Sequence, residues 1–188
     1  PRRTVKQIDI DGLTPDAPEL RLSELLDQYR NLREERLRSE TKRKQAAAGL
    51  LVSGLQQRLL SSIEAFARTL RVHRRTVERL RAGELADAAA PPARSTSFAL
   101  LGGGVGNDDD RATLSEEERQ EEEESQFEAA TRATAGPTDS PPAKRLLHEE
   151  QKLLDQMTEI AESSHRQPDA RVHCLVEWIR ATMCPDLP

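Results

Sequence analysis

Arg68, Arg71, Arg74, Arg75 and Arg79 carry the clearest chemical signal in this 188-residue chain. When the segment is stepped at about 100° per residue, Phe66, Leu70, Val77 and Leu80 gather on the side of Ile63. Arg68, Arg71, Arg75 and Arg79 gather opposite, with Arg74 and Arg81 nearby. A helix seated on protein by its apolar face, with guanidinium groups facing out, can follow a phosphate backbone without reading bases. These five arginines are the candidate DNA-backbone contacts.

The other chemistry-bearing residues do not assemble into a site. Gly102-Gly103-Gly104-Val105-Gly106-Asn107 is glycine-rich but lacks the Gly-Lys-Ser/Thr that cradles phosphates and holds magnesium. His73, His148, His165 and His173, with Cys174 and Cys184, show no CxxC or HExxH spacing. His173 and Cys174 are adjacent, so on a helix they point about 100° apart and suit a half-buried thiol beside an exposed imidazole. The runs Asp108-Asp109-Asp110, Glu116-Glu117-Glu118 and Glu121 to Glu124 lack EF-hand spacing. No catalytic, cofactor-binding or metal-binding residue is assigned.

The elements that would position the arginines are mainly helical. Hydrophobic residues make up 36% and charged residues 32%, against roughly 45–50% and about 25% in a globular domain. That is too little apolar material for one dense core, so part of the chain is unfolded or its helices lean on something absent. The first 82 residues carry a net charge of +7 and the remaining 106 carry −12. This asymmetry points to nucleic-acid contact by the first part and a solvated or self-masking second part. No apolar run approaches the roughly 18 residues of a membrane span. Two cysteines and no signal peptide argue against a secreted disulfide framework. Beginning at Pro1 without an initiator methionine, the chain reads as a cytoplasmic fragment.

Four stretches follow. Residues 1–12 read as a short strand and turn, with Val5, Ile8 and Ile10 ahead of Asp11-Gly12. Residues 19–82 are helical. Leu22, Leu25, Leu26, Tyr29 and Leu32 form the stripe of a first helix to about Arg38. Ala48, Leu51, Val52, Leu55 and Leu59 share a face of a second, from Glu40 to Leu60. Ser61 and Glu64 have capping-box spacing for a third, which Gly83 stops, although a kink in one long helix fits equally. Residues 84–143 read as a disordered acidic insert with at most a transient helix at Ser115–Arg132. Between Asp108 and Glu128 there are 11 acids and two arginines, too little apolar area to offset chain entropy. Residues 144–184 return to helix. Leu146, Leu147, Leu153, Leu154, Met157, Ile160 and Ala161 lie on one element; Val172, Leu175, Val176, Ile179 and Met183, with Trp178 beside them, lie on the next.

Ala67 to Leu80 also resembles a helix-turn-helix, with Arg71 at the usual glycine position and His73 at the usual serine. Val72 separates the two readings, being exposed in a continuous helix and buried in a turn. Arg71 in place of glycine favours the continuous helix.

Gly54-Leu55-Gln56-Gln57-Arg58-Leu59-Leu60-Ser61-Ser62-Ile63-Glu64-Ala65-Phe66-Ala67-Arg68-Thr69-Leu70 resembles the segment after the first motor lobe of bacterial Swi/Snf-type superfamily 2 helicases. Pro1 to Ile8 is similar to the strand preceding that region, and Asp169 to Arg180 to the helix opening the second RecA-like lobe. The resemblance covers about half the chain, in the family's order. It implies an ATP-driven translocase on double-stranded DNA, bound without sequence preference, with ATP and magnesium held by flanking RecA-like lobes. In that setting the helices contact DNA backbone or relay lobe closure, and their apolar stripes pack on the lobes. The alternative is a small helix-turn-helix DNA-binding or adaptor protein with an acidic tail; a coiled-coil scaffold on Leu146–Ala161 is a third, with about two heptads. The +7 beside −12 further suggests that the acidic stretch masks the basic helix.

Overall fold

The computed structural model describes residues 10, 13–83, 115–138, 140–168 and 170–183. Six helices account for most of them: α1 (Pro18–Arg36), α2 (Lys42–Ser61), α3 (Ile63–Arg81), α4 (Glu116–Ala133), α5 (Pro141–Ser164) and α6 (Ala170–Met183). The described residues contain no strand. Apart from Ile10, the expected strand of residues 1–12 lies outside the described residues, as do residues 84–114 of the expected insert and Cys184.

Local chemistry fixes the helix ends. Thr41 caps α2, its hydroxyl accepting from Lys44 N at 3.3 Å, and Pro18 opens α1 at a position that needs no N–H. A single residue, Ser62, separates α2 from α3. Its extended backbone (φ −166°, ψ 159°) breaks the helix. Its N–H closes α2 on Arg58 O at 3.0 Å, while its hydroxyl accepts from Ala65 N at 3.0 Å. The cap is therefore Ser62 and not Ser61, and Glu64, one position too early to complete a capping box, pairs with Arg68 at 3.6 Å. Gly83, with φ +78°, takes the left-handed conformation that ends α3.

The core draws on five of the helices. Leu22, Leu26 and Tyr29 of α1, Leu51 and Leu55 of α2, Phe66 and Leu70 of α3, Phe127 of α4, and Leu154 and Met157 of α5 are all buried in one cluster. Each such side chain contributes about 1.5–3 kcal/mol of transfer free energy. Helix α3 packs against α2, α4 and α5, and α1 packs against α2 and α5. The apolar stripes of α1 to α5 thus cover one another. The expectation that they await absent lobes is corrected for this bundle, because the stripes are buried against one another.

Within the expected disordered insert, residues 115–138 and 140–143 are described; they hold α4, close to the helix expected at Ser115–Arg132, and the first turn of α5. A reciprocal capping box starts α4: Ser115 Oγ accepts from Glu118 N at 3.2 Å and Glu118 Oε2 accepts from Ser115 N at 2.8 Å. Hydrogen bonding from Ser115, its backbone N–H first and its side chain second, holds the Glu118 carboxyl below its usual pKa. Phe127, Ala130 and Thr131, at helical spacing, enter the core. Gly54 on α2 makes room, since a Cβ there would stand 3.0 Å from Phe127 Cζ. Pro141 at the first turn then starts α5, capped by Ser140.

Helix α6 differs from the rest. None of its residues is buried, and Val172, Leu175, Val176, Ile179 and Met183 are exposed. Its first turn is tied down by Arg171, which donates to Leu60 O and, at 2.9 Å, to Leu59 O at the end of α2. Ala170 N donates to Glu19 Oε1 at 3.2 Å.

Candidate functional site

Helix α3 is continuous through Val72, as the arginine at position 71 favoured. Val72 is nevertheless only 4% exposed, which corrects the expected exposure. The second helix packed on that side, α4, covers it; Val72 and Phe127 line the same small recess between α3 and α4.

The helices packed on α3 divide four of the five arginines between two seams. Arg68 donates to Gln120 Oε1 of α4 at 3.0 Å, and Arg79 meets Glu128 of α4 at 3.3 Å. Arg71 meets Glu162 of α5 at 2.5 Å, and Arg74 meets Asp155 of α5 at 3.0 Å as well as Glu78 on its own helix at 3.0 Å. Arg75 is exposed between the two groups and forms no ion pair with a described residue. Arg58 of α2, outside the expected set, reaches Glu123 of α4 at 2.8 Å. The four paired side chains of α3 remain between 36% and 49% exposed. In that setting an ion pair stabilises by about 0–1 kcal/mol and is screened by salt.

A second polar group lies wholly inside. Thr131 Oγ1 donates its one proton to Phe127 O at 2.8 Å, so it accepts from His73 Nδ1–H at 2.8 Å. That assigns the tautomer: His73 Nε2 accepts from the Tyr29 hydroxyl at 2.7 Å. Tyr29 Oη in turn accepts from Arg33 at 3.1 Å. Arg33 also donates to Thr134 Oγ1 at 2.8 Å and to Thr134 O at 3.1 Å. Glu150 of α5 receives a bidentate pair from Arg36 at 2.6 and 2.8 Å, with Arg33 at 3.7 Å. Burial pushes the His73 pKa well below its usual value and the Arg33 charge adds to this. Burial also raises that of Tyr29. The imidazole is therefore neutral and the phenol protonated, which matches the direction of every hydrogen bond in the chain.

This network ties α1, α3, α4 and α5 together and was missed by sequence reasoning. The signal was present in α1: Leu22, Leu26, Tyr29, Arg33 and Arg36 are the buried positions, one stripe whose last two members are arginines. Leu25 and Leu32, placed on that stripe by hydropathy, are only partly buried.

Cys174 is a half-buried free thiol and His173 is exposed, as their spacing suggested. Among the described residues no cluster of His, Cys, Asp and Glu could hold a metal ion. The Gly102 to Gly106 segment lies outside the described residues. No helix among the described residues is long and apolar enough to cross a membrane. The leucines of α5 that suggested a coiled coil, Leu153 and Leu154, face the chain's own core.

Compared with known protein families, curated proteins and solved structures, the chain matches none.

Proposed function

We propose that the chain is a non-catalytic helical module that engages the DNA backbone within an ATP-driven translocase of the Swi/Snf type. The observation that carries the reading is the row of half-exposed guanidinium groups on α3, each held by a weak, solvent-facing carboxylate or amide. A DNA phosphate offers two anionic acceptor oxygens and the same unit charge as a carboxylate, so replacing one partner by the other costs little. The sequence resemblance of residues 54–70 supplies the motor context, and the open apolar face of α6 suits packing against a further lobe. ATP and magnesium belong to those lobes, and no chemical step is assigned to the residues of this chain.

Binding of a fluorescent duplex by the chain, measured against salt, tests the reading. The logarithm of affinity should fall linearly with the logarithm of salt, by about 0.9 per phosphate contact. Replacing Arg68, Arg71, Arg75 and Arg79 by glutamine should flatten that slope without changing base preference. A slope untouched by these substitutions would remove α3 from the interface.

A further inference from the structure

We propose that the cavity between the last turns of α1 and the first half of α2 is a phosphate-binding site, separate from the α3 arginines. It encloses about 690 Å3, and its wall holds four cationic side chains, Arg30, Arg33, Arg38 and Lys42, against two carboxylates, Glu34 and Glu35. Arg38 and Lys42 are exposed, and neither forms an ion pair with a described residue. Lys42 Nζ makes a long bond of 3.4 Å to Gln45 Oε1. Across the cavity, Arg30 is oriented by Asp27 at 3.2 Å and Gln56 at 2.7 Å, which holds its guanidinium in place.

A second observation favours an anion there. Arg33 and Arg36 are both buried and share the carboxylate of Glu150, the one buried carboxylate among the described residues. Two positive charges against one leave the interior with one in excess, and Arg33, whose Nε has no hydrogen-bond partner, also stands in the cavity wall. An excess charge under low-dielectric cover draws an anion to the adjoining opening. On α3, Arg71, Arg74 and Arg79 already face carboxylates. At the α1–α2 corner, Arg38 and Lys42 do not.

Phosphate fits this donor set, since guanidinium and ammonium groups converge on tetrahedral oxygens. It can come from a free oligophosphate or from a nucleic-acid strand, and the test separates the two. The intact chain, an Arg38→Gln/Lys42→Gln variant and an Arg68→Gln/Arg75→Gln variant are compared with inorganic pyrophosphate and with a short duplex. All four substituted residues are exposed, so the variants should keep the parent's Tm without ligand.

Pyrophosphate is expected to raise the Tm of the chain and of the α3 variant but not of the corner variant. If a strand supplies the phosphate, the corner variant instead loses roughly 2 from the slope of log affinity against log salt, about one per missing contact. The proposal is overturned if neither probe distinguishes the corner variant from the parent. Loss of duplex binding in the α3 variant alone, with no pyrophosphate response that depends on the corner, would overturn it while leaving the proposed function standing. Duplex binding that depends on the corner alone would do the reverse.

Discussion

Arg33 and Arg36 of α1 and the arginines of α3 have the same side chain and the same kind of partner, yet they do different work. The α1 pair is almost fully buried, 3% and 6% exposed, and its carboxylate partner Glu150 is buried with it. The α3 arginines pair at the surface, where water competes for every bond. In the interior a bond left unmade is costly, because an unpaired charge has no solvent to fall back on. At the surface each bond is optional. The difference shows that counting arginines in the first 82 residues measures charge without locating it. Some of that charge is spent inside the bundle, some is neutralised on α3, and some stays open at the α1–α2 corner.

The largest expected effect lies in the interior. Glu150→Gln leaves two buried guanidinium groups without an anion and should destabilise the fold by about 3–5 kcal/mol, read as a lower midpoint in urea. A loss under 1 kcal/mol would show that water reaches the network and would erase the contrast with α3. Phe127→Ala should cost about 3–5 kcal/mol as well, because the ring fills the space beside Gly54. If that substitution left the midpoint unchanged, α4 would not belong to the bundle.

A smaller effect comes from His73, which faces Tyr29 and Thr131 and feels the charge of Arg33. Its pKa is depressed in the fold, so between about pH 6.5 and that lower value the unfolded chain binds the extra proton. Stability therefore falls as pH falls below about 6.5, by up to about 1.4 kcal/mol per pH unit. Urea titrations of the parent and of His73→Gln across this range should differ in slope, whatever their offset. Parallel curves would mean that the imidazole is not held neutral.

The smallest effect is expected at the surface. Glu128→Gln, which frees Arg79 from its α4 carboxylate, should change stability by less than about 1 kcal/mol. It should also tighten duplex binding at low salt if the α4 acids compete with phosphate. Unchanged affinity would separate the acidic helix from any masking role.

Much of the fold was legible because it depends on local rules. The helical spacing of α2 and α5 and the stop at Gly83 follow from near neighbours. The packing of residues 115–138 was not legible because composition was averaged over residues 84–143. Phe127, Ala130 and Thr131 amount to a single turn of apolar contact, and only a waiting groove beside Gly54 makes that turn sufficient. The α3 arginines were found as residues, but their partners Asp155, Glu162 and Glu128 lie 49 to 91 positions away. No helical periodicity spans that distance.

The sequence by itself determined a mainly helical chain, where most of its helices begin and end, and a basic first part followed by an acidic second part. Those properties arise from spacing within a few residues. The tertiary structure decided which charges are available. It turned the stripe of α1 inward at Arg33 and Arg36, closed α4 over Val72, and left Arg38 and Lys42 facing an open cavity. Burial and pairing are properties of contacts between distant segments, and they exist only once the helices have packed.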